Sequence, residues 1–81
     1  MRKRGRVDQN HAEVVAALRK VGYRVLSLAP LGGGAPDLLT LKAGKLELVE
    51  VKTPKGKLRP AQVEFQREWP VRVIREIGEV K

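Results

Sequence analysis

Two periods alternate along this chain, one of about 3.6 residues and one of two, and together they lay out its elements. From Asp8 to Val21 the period is helical. His11, Val14, Val15, Leu18 and Val21 recur at spacings of three and four, and Gly22 supplies a stop. Gln9, Glu13, Ala17 and Lys20 share a neighbouring strip of this helix, and Ala16 and Ala17 are small enough for close approach to a sheet. Residues 1–7, ahead of the helix, read as a basic flexible arm, and residues 8–81 as one domain.

Tyr23 to Leu28 is predicted as the first strand, with Val25 as its core residue. Ala29 to Pro36, with three consecutive glycines and two prolines, is a loop. Its backbone amides at Gly33 and Gly34 can approach a phosphate with no side chain in the way. Leu38–Lys42 and Lys45–Val51 then read as two strands joined at Ala43-Gly44. Thr53 to Leu58 is a basic connector carrying Lys55 and Lys57. Pro60 fits the first position of a second helix running to about Trp69, with Leu58 and Val63 spaced for a hydrophobic staple and Phe65 and Trp69 facing the core. Pro70 ends that helix, Val71 to Ile74 form a last strand, and Ile77 and Val80 lie in a loosely defined tail. The predicted order is α-β-β-β-α-β.

The hairpin register has a chemical consequence. With a two-residue loop Lys42 faces Lys45, and counting back brings Asp37 opposite Glu50. Both then share a face with Leu39, Leu41, Leu46, Leu48 and Lys52. Directly opposed side chains have Cβ atoms roughly 5 Å apart, where like charges destabilise, so the pair calls for a cation. The opposite face carries Leu38, Val49 and Val51. Apolar residues on both faces predict cover on both, with one covering element supplied by a second subunit.

Composition narrows what that cation and its partners are. There are 81 residues, no cysteine and one histidine, so disulfides, zinc–thiolate sites and histidine clusters are excluded. Oxygen ligands favour Mg²⁺ or Mn²⁺. The formal net charge is +8, from 17 Lys and Arg against 9 Asp and Glu, and half of it remains outside Arg2, Lys3, Arg4 and Arg6. A basic balance spread along the chain points to an anionic partner, nucleic acid ahead of a membrane surface. Three aromatics are too few for a base-stacking platform, which leaves phosphate contact. The basic N-terminus is followed by no apolar core and no stretch is long enough to span a bilayer, so a cytoplasmic protein is expected.

Asp37, Glu50 and Lys52 make a kit for phosphodiester hydrolysis: two carboxylates for a divalent cation, and an ammonium to orient water or offset developing charge. The plainer alternative is a half-exposed Glu50–Lys52 ion pair, worth under about 1 kcal/mol, with Asp37 closing a turn. Glu13 has two readings as well. Asn10 followed three residues later by Glu13 resembles a capping box, and the same carboxylate could reach toward the metal.

Gly34-Ala35-Pro36-Asp37-Leu38-Leu39, Val49-Glu50-Val51-Lys52, Leu58 and Gln62, with Arg6-Val7-Asp8, Asn10, Glu13 and Ser27-Leu28-Ala29 upstream, resemble the PD-(D/E)xK nuclease superfamily. Within it the likeness is to the virus-type replication-repair nucleases (VRR-Nuc), in their short stand-alone form from phages and bacteria. It covers residues 6 to about 74. The resemblance implies an α/β restriction-endonuclease-like core, a mixed four-stranded sheet with flanking helices, and a Mg²⁺- or Mn²⁺-dependent DNA endonuclease. It assigns Asp37 and Glu50 as metal-binding acids, the Val51 backbone carbonyl as a further ligand, and Lys52 as the catalytic lysine. Gln62 matches a glutamine touching the site or the DNA backbone, and Glu13 a first-helix acid that joins the metal. It also implies a homodimer acting on branched, Holliday-junction-like DNA, with Arg2, Lys3, Arg4, Arg6, Gly33, Gly34, Lys55 and Lys57 as candidate DNA contacts. The sequence departs from the family at His11, where glutamine is expected, and at Thr53-Pro54. It also lacks the helix that longer relatives append. The competing expectation is a basic DNA-binding module that needs a partner for activity.

Overall fold

A computed structural model describes the backbone of residues 5–81 and the side chains from Gln9 onward. In chain order the elements are α1 (Gly5–Lys20), β1 (Arg24–Ser27), a 3₁₀ turn (Ala29–Leu31), β2 (Leu38–Lys42), β3 (Lys45–Val51), α2 (Pro60–Glu68), β4 (Val71–Ile74) and a second 3₁₀ turn (Ile77–Glu79). The strands form one mixed sheet in the order β1-β2-β3-β4, antiparallel except for the parallel β3–β4 pair that α2 connects. This is an α/β fold with the expected element order. No helix among the described residues is long and apolar enough to cross a membrane.

The hairpin has the expected register, from Leu38↔Val49 to Lys42↔Lys45. Its turn works because Ala43 and Gly44 both take positive φ, 53° and 77°, which twists the backbone in the sense the strands require. The core lies between α1 and one face of the sheet. Val14 and Leu18 are fully buried against Leu38, Val49, Val51 and Ile74, with Val15, Tyr23, Val25 and Val80 at the rim. Gly22, at φ 103°, ends α1: Tyr23 N–H donates to Leu18 O and Gly22 N–H to Arg19 O, at 3.0 and 3.1 Å.

Several expectations are corrected. α1 begins at Gly5, so residues 5–7 of the expected arm are helical, and residues 1–4 lie outside the described residues. Asn10 therefore sits inside the helix rather than capping it, and the Asn10–Glu13 capping box is absent. Trp69, expected in the core, is 52% exposed. It is the extended residue closing a nine-residue helix, and its ring stacks on Phe65 with centroids 5.7 Å apart. Val63 is 43% exposed, outside the core. The tail is ordered by Glu79, whose carboxylate accepts from the N–H groups of Arg75 and Glu76. The sheet's second face is covered only in part within the chain, leaving Leu26 and Leu46 exposed.

α2 meets the sheet end through Gly34. At φ +85° it approaches so closely that a Cβ there would collide with the backbone of Ala61, whereas a Cβ on Gly33, at φ +62°, would meet open space. Gly34→Ala should therefore lose about 3 kcal/mol, from backbone strain plus overpacking, and Gly33→Ala about 1 kcal/mol, from strain alone. Urea unfolding of the two variants checks the difference.

Candidate functional site

Asp37 and Glu50 each lie one residue beyond the last pair of the hairpin, Leu38↔Val49, and border the same cavity. Asp37 is held from both ends: its carbonyl accepts from Leu28 N–H at 2.7 Å, and its Oδ2 accepts from Val51 N–H at 2.9 Å. Glu50 is 3% exposed. Its Oε2 accepts from Gln62 Nε2 at 2.8 Å and lies 3.8 Å from Lys52 Nζ. Gln62 is buried too, and its Oε1 accepts from Arg59 N–H at 2.8 Å. One side-chain amide thus caps α2 and carries the buried carboxylate. The groups border a cavity of about 270 Å³ at the sheet end, with Asn10 and His11 of α1 on its wall.

The electrostatics follow from burial. Loss of water pushes the Glu50 carboxyl above its ordinary value, and the negative charge of Asp37 pushes it further the same way. The cations of Lys52 and Arg59, with a backbone hydrogen bond from Asp37, pull in the opposite direction without cancelling the rise. The donor set is two carboxylates and the Val51 main chain. Among the described residues no three His, Asp or Glu side chains gather into one group. That set suits a hard cation that keeps most of its waters and takes one or two carboxylates.

No protein-family model, curated protein or solved structure matches this chain.

The site brings together Asp37, Glu50, Val51, Lys52 and Gln62. Glu13 stands apart. It is exposed, accepts from Gln9 Nε2 at 3.1 Å, and lines a neighbouring groove with Thr53, Pro54 and Lys55. Of the candidate DNA contacts, Lys55 and Lys57 are exposed on the connector and Gly33 is exposed in the loop, while Gly34 serves the contact with α2. Arg2, Lys3 and Arg4 lie outside the described residues, and Arg6 is described as helical backbone only.

Three residues near the site have contacts there that the sequence did not reveal. Asn10 Nδ2 donates to Lys52 O at 2.9 Å and to Arg75 O at 3.3 Å, tying α1 to the ends of β3 and β4. Arg75 Nη1 donates to Thr53 O and Gly56 O at 2.8 and 2.6 Å, folding the connector beyond Lys52. Arg59 lines the cavity from the N-cap of α2. The only sequence signal for Arg59 was Pro60, which marks it as the residue before a helix.

A folded-state Glu50 pKa above its ordinary 4.5 means that the folded protein favours the protonated form. Stability from this group therefore falls as pH rises through the raised value, and is restored as pH drops toward 4.5. Glu50→Gln, neutral throughout and still able to accept from Gln62, should melt at a higher temperature than wild type at about pH 8 in the presence of a chelator. The gap should close toward about pH 4. Thermal melts of both proteins across this range check it.

Proposed function

We propose that this chain is a divalent-metal-dependent DNA endonuclease of the PD-(D/E)xK architecture, similar to the VRR-Nuc domains. The observation that carries the reading is the meeting of Asp37, Glu50 and Lys52 in one cavity, with Lys52 Nζ 3.8 Å from Glu50 Oε2. A structural ion pair at a strand end does not require a second, like-charged carboxylate beside it, nor a buried glutamine to hold its acid.

In this reading Asp37 and Glu50, with the Val51 carbonyl, hold Mg²⁺ or Mn²⁺. Such a cation lowers the pKa of bound water and offsets charge on a phosphate. Val51 N–H fixes the Asp37 carboxylate by its Oδ2, and Gln62 fixes Glu50 by its Oε2, so neither rotates freely. The Lys52 ammonium sets a positive charge where the phosphate gains negative charge, or orients the attacking water. The net charge of +8 draws a polyanion to the site. The exposed Leu26, Leu46 and Trp69 support a homodimer, which presents two sites to the strands of branched DNA.

The test is incubation with a four-way junction and with linear duplex, in Mn²⁺, in Mg²⁺ and in chelator, alongside sedimentation velocity. The expected result is a dimer that cuts the junction only with the cation. Tight binding without cleavage under every condition supports the non-catalytic module instead. Lys52→Ala should lower the cleavage rate by about 10²–10³-fold while junction affinity stays within a few-fold. A variant that cuts like wild type removes Lys52 from the chemistry.

A further inference from the structure

The motif accounts for one cation at this site, Lys52, yet the cavity has a second on another element. Arg59 is the N-cap of α2, extended at φ −77° and ψ 160° because Pro60 follows it. Its backbone is tied to the buried acid through a single side chain: Arg59 N–H donates to Gln62 Oε1, and Gln62 Nε2 donates to Glu50 Oε2, both at 2.8 Å. Two short hydrogen bonds and one amide thus fix how far Arg59 stands from Glu50. The residue itself is exposed and lines the cavity that holds Asp37, Glu50 and Lys52. No carboxylate among the described residues is within ion-pair distance of its guanidinium. Its charge still acts on Glu50, lowering that group's proton affinity against the larger effect of burial.

A guanidinium does not ligate a cation, and it is planar and permanently charged, with donors spaced for two oxygens of one phosphate. We propose that Arg59 is a phosphate-binding residue of this site, its guanidinium taking non-bridging oxygens of the phosphodiester that the Asp37–Glu50 cavity receives. The assignment deepens the nuclease reading and rests on it for the chemistry, but phosphate binding is measurable without cleavage. Gln62 is then a positioning residue with two outputs, the carboxylate of Glu50 on one side and the backbone of Arg59 on the other.

Arg59→Ala keeps the backbone N–H that Gln62 accepts, so α2 retains its cap and the variant folds. The probe is a fluorescent DNA duplex titrated at several salt concentrations in Ca²⁺ and in chelator, with cleavage followed separately in Mn²⁺. Arg67→Ala is the control. Arg67 is on the same helix but exposed and 3.8 Å from Glu64, away from the cavity.

Arg59→Ala should bind about ten-fold more weakly, with a salt dependence shallower by about one phosphate contact, and cleave about 10²-fold more slowly. Arg59→Lys should recover only part of each loss, and Arg67→Ala should match wild type. Wild type that binds without cutting, while Arg59→Ala weakens binding, defeats the nuclease reading and keeps Arg59 as a phosphate contact. Unchanged binding with slowed cleavage also upholds the assignment, as a contact made in the transition state. Arg59→Ala that binds like wild type and shows no cleavage defect overturns it, whether or not wild type cuts. Equal losses in Arg67→Ala overturn it too, since they reduce the effect to general charge.

Discussion

Burying Glu50 beside Asp37 is the constraint that organises this end of the molecule. A carboxylate out of water beside a half-buried like charge is tolerated only where donors and cations surround the pair. Each one here comes from a different part of the chain. Val51 N–H serves Asp37 from the end of β3, while Lys52, one residue further on, sets its ammonium near Glu50. Gln62 reaches Glu50 from α2 and Arg59 adds its charge from the helix cap. For Gln62 to reach, the first turn of α2 must press onto the loop before β2. The only residue that lets the two backbones come so close is Gly34. The glycine is thus a requirement of the carboxylate, passed through the helix.

The other side of the site is held through the main chain. Lys52 N–H donates to Ile74 O at 3.0 Å and Lys52 O accepts from Asn10 at 2.9 Å, so its peptide groups are fixed on both flanks. Asn10 also reaches the carbonyl of Arg75, and the Arg75 side chain gathers the carbonyls of Thr53 and Gly56. Polar groups that would be stranded where β3 and β4 leave the sheet are satisfied this way. The backbone of Lys52 is rigid while its ammonium keeps partial access to solvent, with 17% of the side chain exposed. Such an arrangement can orient a charge without neutralising it.

The hairpin was legible because its information is local. Ala43-Gly44 admits one tight turn, and the turn sets every pair back to Leu38 and Val49, next to Asp37 and Glu50. The last strand was equally plain, bounded by Pro70 and a short β-branched run. Asn10 was misread for the opposite reason. Its partners lie 42 and 65 residues away, and a local capping pattern supplied a nearer explanation that the longer helix removes. Arg59 is one of 17 basic residues, and nothing in its neighbours separates a cation that borders a site from one on open surface. Trp69 has core-like chemistry and helical spacing, but the helix stops before it, so its backbone turns the ring outward onto Phe65.

Only one face of the sheet has a full layer over it. Alternation along β3 sets Leu46, Leu48, Glu50 and Lys52 on the other face, so the apolar stripe and the site belong to the same surface. α2 covers the Glu50 end, and exposure rises to 64% at Leu46. A chain of 81 residues, with six apolar side chains of the described residues in its buried core, has little stability to spare for a buried acid beside a like charge. In the proposed reading two kinds of binding would relieve that, a cation on the carboxylates and a covering surface on the stripe. Both would select the folded state, so each would raise its population by mass action. Trp69, between α2 and β4, lines the groove beside that stripe with Leu39, Leu46 and Leu48. One nine-residue helix therefore separates that groove, at its C-terminal end, from Gln62 and Arg59 at its N-terminal end.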